Sequence, residues 1–259
     1  MRIVILESAQ AVSHRAADIM CELLNDKPNA VLGLATGGTP LATYDELVVR
    51  YNQQEVSFAQ ATSFNLDEYV DMSPEHAQSY HTFMRENLFR HIDIDASNCH
   101  LPDGASDNHW RACEHYEQLI DQAGGIDLQL LGIGTDGHIA FNEPGSSLAS
   151  RTRLKALTEQ TRRDNARFFD SLEDVPRLAI TMGIGTILEA HDIVLLATGA
   201  GKAGAVRAFV EGPVTAQVPA SALQMHPNVT VLLDEDAASW LVRTDYYRQV
   251  EAVQRSLET

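Results

Sequence analysis

The chain has 259 residues, 44% hydrophobic and 21% charged, which suits a globular protein able to bury a core without disulfide or metal support. Its 36 acidic and 19 basic residues leave a formal charge of −17, arguing against nucleic acid or an anionic membrane as main partner, since both require a basic face. A small phosphorylated ligand is not excluded, because a few well-placed donors hold one phosphate even in an acidic protein.

In chain order, short apolar runs alternate with amphipathic segments. The first run, residues 2–6, predicts a strand and meets Glu7 too soon for a signal-peptide core or a membrane span. Further strands are predicted at 30–34, 61–65, 128–132, 193–197 and 229–233. Helical patterns fall between them at 11–25, 42–52, 79–91, 109–123 and 202–211. This alternation implies βαβ units: an open, mostly parallel sheet with helices on both faces, a Rossmann-like three-layer sandwich. No repeat or linker divides the chain, so one α/β domain is expected over residues 1–259. From about 236 it ends in a polar helical tail whose Trp240, Tyr246 and Tyr247 are expected to pack on the body. The cysteines Cys21, Cys99 and Cys113 are scattered, with no CxxC pair, and point to free thiols in a reducing, cytoplasmic setting.

Ligands of open α/β sheets bind beyond the carboxyl ends of the strands. Three loops there carry unusual chemistry. In residues 32–40, LGLATGGTP, paired glycines follow a strand, Thr36 and Thr39 add hydroxyls, and Pro40 suits a first helical turn. The result is either an anion site at a helix N-terminus or a structural turn; it has neither the P-loop nor the GxGxxG pattern. In residues 63–69, SFNLDEY, a strand ends in Asp67 and Glu68. Either could be a proton-transfer base if desolvated, or a solvated or capping acid. In residues 131–144, Asp136, His138 and Glu143 crowd among glycines. Histidine titrates near neutrality and a neighbouring carboxylate fixes its tautomer, the make-up of an acid–base relay. A metal site and a structural histidine are the alternatives, although no further His or Cys lies near to complete a zinc site. Arg167 and Lys202 are surface charges or, with the first loop, a phosphate clamp. Lys202 follows a Gly-rich turn at a helix start, where a cation needs a compensating anion.

At these loops the sequence resembles the glucosamine-6-phosphate deaminase family. The matching stretches are GLATGGTP, SFNLDEY, SYHTFM, GIGTDGHIAFNEPGSSLASRTR, ARFFD and LQMHP, in family order from about residue 30 to 235, the long block at 132–153 being the most specific. The resemblance implies an amino-sugar-phosphate deaminase/isomerase: ring opening, aldose–ketose isomerisation and deamination of glucosamine 6-phosphate to fructose 6-phosphate and ammonia, without metal or redox cofactor. It assigns ring opening to His138, tuned by Asp136 and Glu143, and the C2–C1 proton shift to Asp67, with Glu68 in support. Thr36, Gly37, Gly38, Arg167 and Lys202 match its phosphate site. Ser146, Ser147, Arg153 and Lys155 match an activator site for N-acetylglucosamine 6-phosphate in the family's bacterial hexamers, which makes a homo-oligomer an expectation. The stretch 240–247 departs from the family pattern and leaves that site's C-terminal aromatic unplaced. The rival readings are a galactosamine-6-phosphate enzyme, a 6-phosphogluconolactonase and a non-catalytic sugar-phosphate sensor. The sensor would need no Asp67, Asp136, His138 or Glu143, and the lactonase no C2–C1 shuttle.

Overall fold

The computed structural model describes residues 1–166 and 169–258. In chain order these form β1 (Arg2–Leu6), α1 (Ala9–Asp26), β2 (Val31–Leu34), α2 (Gly38–Asn52), β3 (Thr62–Asn65), β4 (Asp67–Tyr69), α3 (Tyr80–Asn87), β5 (Cys99–His100) and α4 (His109–Gln122). There follow β6 (Leu128–Leu131), β7 (Arg153–Ala156), α5 (Glu159–Asn165), β8 (Leu178–Thr181), α6 (Ile184–Ile187), β9 (Asp192–Ala197), α7 (Ala203–Val210), β10 (Val229–Asp234), α8 (Glu235–Ala238) and α9 (Thr244–Glu258).

Seven strands form one sheet in the order β1-β10-β9-β6-β2-β3-β5, every neighbouring pair parallel. Successive strand residues face opposite ways, so a sheet covered on both sides reads as continuous apolar runs. Val4, Leu32, Leu34, Leu130 and Leu232 join one core with Val12, Ala16 and Met20 of α1 and Leu47 of α2. Ile3, Val31, Leu131, Leu195 and Val231 join another with Tyr116 and Ile120 of α4 and Val206 of α7. This is the expected three-layer sandwich. From β2 the chain winds one way to β3 and β5; β6 then returns to the other flank of β2. The switch point is the seam between β2 and β6, whose register is Leu32↔Leu128 and Gly33↔Gln129. Gln129 is fully buried there, and a Cβ at Gly33 would meet its side-chain amide at 2.2 Å, so only glycine fits.

A second, antiparallel sheet, β4-β8-β7, was not foreseen in the sequence. Its strands are short and lack a long apolar run: RLKA in β7 is mostly half-buried and DEY in β4 begins with two acids. Two helices also start or stop away from their expected bounds. The 79–91 pattern divides into α3 and a 3₁₀ turn at Phe89–His91, and Lys202 ends a 3₁₀ turn, capping α7 rather than opening it. The tail forms α8 and α9, but Trp240 and Tyr246 are 60% and 58% exposed. Tyr247 does pack against the core and donates to Glu211, and Glu251 pairs with Arg2 of β1 at 2.6 Å.

Candidate active site

Four loops leaving β2, β3, β6 and β9 meet above the switch point and enclose a cavity of about 440 Å³. Its walls include Thr36, Gly37 and Gly38 from the first loop, Asp67, Gly134 and His138, and Lys202. This is where ligands of open α/β sheets sit. The β2 loop turns at Gly37, whose φ of +100° is a left-handed conformation that a side chain would strain. No side chain caps α2, so the first N–H groups of this 15-residue helix are left to the cavity. Lys202 supplies a cation on the same walls. Thr36, Gly37, Gly38 and Lys202 are therefore brought together; Arg167 lies outside the described residues.

Asp67 and Glu68, adjacent in β4, are sent opposite ways by the strand's alternation. Asp67 faces the cavity, yet is only 6% exposed. Burial, reinforced by the charge of Glu68, pushes its carboxyl up to about 8. Glu68 touches Asp67 through its charge and is otherwise engaged in structure. Its oxygens accept from the backbone N–H groups of Tyr69, Tyr80 and His81 at 2.8–3.1 Å and meet the His81 ring at 2.8 Å, closing the start of α3.

In the β6 loop, Asp136 Oδ1 meets Nδ1 of His138 at 2.7 Å and also accepts its backbone N–H at 3.1 Å. The bond from His138 holds the Asp136 carboxyl below its usual range. Glu143 is 3% exposed. An oxygen of Glu143, one of Asp136 and a ring nitrogen of His138 lie within 4.8 Å of one another, a spacing compatible with a proton relay or with a cation. The chain reaches Glu143 through Ala140, held at φ +50°, an uncommon conformation for a residue with a side chain.

Sequence reasoning gave no role to several wall residues. Tyr80 comes from α3 and stacks on Phe141 with ring centres 6.1 Å apart. Thr161 and Asn165 come from α5, beside the unforeseen sheet. Tyr80 lay in a matched stretch, SYHTFM, whereas nothing in the polar run of α5 marked its threonine. The four residues expected to bind an activator do not share one environment. Ser146 is buried, its hydroxyl donating to the Glu143 carbonyl at 2.7 Å; Ser147 is exposed; Arg153 and Lys155 are half-buried on β7.

Residues 6–232 match the family described as glucosamine-6-phosphate isomerases/6-phosphogluconolactonase, and the chain belongs to that family of α/β sugar-phosphate enzymes. Within it, the chain is 57% identical to the glucosamine-6-phosphate deaminase of Hahella chejuensis, over 97% of this chain and 96% of that protein. It is 56% identical to that of an Arthrobacter species, over 96% and 95% of the two chains. A solved monomeric glucosamine-6-phosphate deaminase superposes with a TM-score of 0.91 at 47% identity, covering 93% of this chain and all of that one. The 6-phosphogluconolactonase of Trypanosoma brucei shares the fold, with a TM-score of 0.73 at 22% identity.

Proposed function

We infer that this chain converts glucosamine 6-phosphate and water into fructose 6-phosphate and ammonia. The observation that carries the reading is Asp67: a buried carboxyl raised to about 8, on the wall of the cavity that also holds His138 and the open end of α2. Lactone hydrolysis involves no proton shift between C2 and C1. An aldose–ketose isomerisation needs one that takes a proton from C2 and returns it to C1, and a pKa near the working pH suits both halves of the task.

The remaining residues are read around that step. The N–H groups of Gly37 and Gly38, with Thr36, Arg167 and Lys202, would hold the unreactive phosphate and fix the sugar's place. His138 would carry the proton onto the ring oxygen, oriented by Asp136, with Glu143 stabilising its charged form. After ring opening and the Asp67-mediated shift, water adds at the C2 imine and ammonia leaves.

Other parts of the reading have more limited support. The cavity draws on loops after β2, β3, β6 and β9, which suits a single catalytic domain. Free Cys21, Cys99 and Cys113 suit the cytoplasm, and among the described residues no helix is long and apolar enough to cross a membrane. An N-acetylglucosamine 6-phosphate activator at Ser146, Ser147, Arg153 and Lys155, and a homo-oligomer to present it, find less support. The Ser146 hydroxyl is already engaged, and the similar deaminase of known structure is monomeric. We therefore favour activity in one copy without activator.

The test is ammonia and fructose 6-phosphate formation from glucosamine 6-phosphate, with galactosamine 6-phosphate, a chelator and N-acetylglucosamine 6-phosphate in parallel. Stoichiometric products from the gluco substrate, unaffected by the chelator, are expected. Ammonia from the galacto substrate alone would overturn the substrate, and ammonia from neither would overturn the reaction.

A further inference from the structure

Glu143 is held asymmetrically. Its Oε1 accepts from Thr161 Oγ1 at 2.5 Å and from Thr158 Oγ1 at 3.2 Å, with the Thr158 N–H at 3.5 Å. Its Oε2 is buried and has no hydrogen-bond partner among the described residues. A carboxylate oxygen left bare in the interior costs free energy unless a group arrives to use it. The nearest such group in the relay is the His138 ring, within the 4.8 Å cluster.

The two threonines are themselves locked. Thr158 is the N-cap of α5: its Oγ1 accepts the Thr161 N–H at 3.2 Å and lies 3.1 Å from Thr161 Oγ1. The helix is fastened to the chain beyond it by Arg162, whose guanidinium donates to the carbonyls of Leu172 and Val175 at 2.6–3.2 Å. Thr161 is 6% exposed, yet it contributes to the cavity wall, as does Asn165 one turn on. One short helix thus touches the substrate cavity and grips the acid behind the histidine.

We propose that Thr161, backed by Thr158, is a positioning residue that fixes Oε1 of Glu143 and so aims Oε2 at the His138 ring. Without the hydroxyl, the carboxylate is free to rotate and the charged imidazole loses its fixed counter-charge. The cavity-wall residues Thr36, Gly37, Gly38 and Lys202 come from other loops and make none of these contacts to Glu143. The loss falls on kcat and not on binding, because the interaction matters only when His138 carries the extra proton. This inference rests on the place of Glu143 in the relay, so Glu143→Gln accompanies the test.

Ammonia release by the full chain gives kcat and KM for Thr161→Val, Thr161→Ser and Glu143→Gln, with melting temperatures alongside. Thr161→Val should lose roughly tenfold to a hundredfold in kcat, a fraction of what general acid–base catalysis contributes, with KM within about twofold. Thr161→Ser, which keeps the hydroxyl, should restore most of the rate. If the valine variant does not fold, Thr161→Ala carries the same comparison with serine. Wild-type kcat in Thr161→Val with a crippled Glu143→Gln would overturn the threonine's role and leave the relay standing. Wild-type kcat in both would overturn the relay itself. Equal losses in the valine and serine variants would make Thr161 a packing residue and overturn the proposal.

Discussion

Along the carboxyl edge of the seven-stranded sheet, functional atoms hang from loops that leave fully paired strands. In the small antiparallel sheet they sit on a strand, as Asp67 does on β4, or on a helix beside it, as Thr161 does on α5. The loops offer backbone N–H groups and a lysine, which suit a static anion. The small sheet offers burial, which alters the proton affinity of whatever faces inward. On the proposed reading, the phosphate contacts come from the loops, whereas the proton-transfer groups come from both regions, His138 from the β6 loop and Asp67 from β4.

The sharpest break is Asp67→Asn. If the raised carboxyl moves the C2 proton, turnover should fall by about 10³-fold to 10⁴-fold, near the upper reach of general acid–base catalysis, with fructose 6-phosphate binding retained. In the wild type, kcat/KM should rise with pH through about 8 as Asp67 ionises, and that limb should vanish in the variant. The same group gives a stability test with a worked sign. Its folded pKa is raised, so its contribution is fully present below the ordinary carboxylate range and is lost as pH rises through about 8. Asp67→Asn, neutral throughout, should melt higher than wild type at pH 9 and close to it at pH 4. A lower melting point at pH 9 would refute the burial argument.

His138→Ala should cost about 10²-fold to 10³-fold in kcat and leave phosphate-ligand binding intact by calorimetry. Wild-type turnover would remove the histidine from the reaction. Lys202→Ala, on a loop of the same sheet, should act on binding instead: a loss of about tenfold to a hundredfold in kcat/KM, mostly in KM, as for one charged hydrogen bond. An effect confined to kcat would tie the lysine to the chemistry instead.

The smallest effect on turnover is expected at Glu68, one residue from the largest. Glu68→Gln should cost about 1–3 kcal/mol of stability as the start of α3 loses a charged acceptor, while kcat stays within about twofold. Since Glu68 helps to raise Asp67, the limb near 8 should also move to lower pH. A collapse of kcat at its optimum pH would return Glu68 to the chemistry.

Much of the first region was legible in the sequence. Continuous apolar runs mark strands buried on both faces, and the glycines that follow them mark where the backbone turns beneath the ligand. Asp67 and Glu68 were separated by the family resemblance and not by their own chemistry, because their difference lies in what packs against each face of β4, and α3 follows only at Tyr80. The second sheet was missed for a related reason. Leu154 and Ile180 pair across β7 and β8, but their strands are four residues each, and β7 carries Arg153 and Lys155. The aromatic residues of the tail divide: Tyr247 packs on the core beside the Arg2–Glu251 ion pair, whereas Tyr246 and Trp240 stay exposed.

The seam between β2 and β6 has a consequence for how such a protein can diverge. Gly33 and Gln129 share one space at the switch point, and a single methyl group at 33 would intrude on the amide. Neither position can drift alone: an alanine at 33 is admissible only after the glutamine has shortened, whereas a smaller residue at 129 opens a void that a side chain at 33 could fill. The order of substitutions is therefore constrained as in a ratchet, with position 129 changing first. A non-glycine residue at 33 would mark a lineage in which position 129 had already changed.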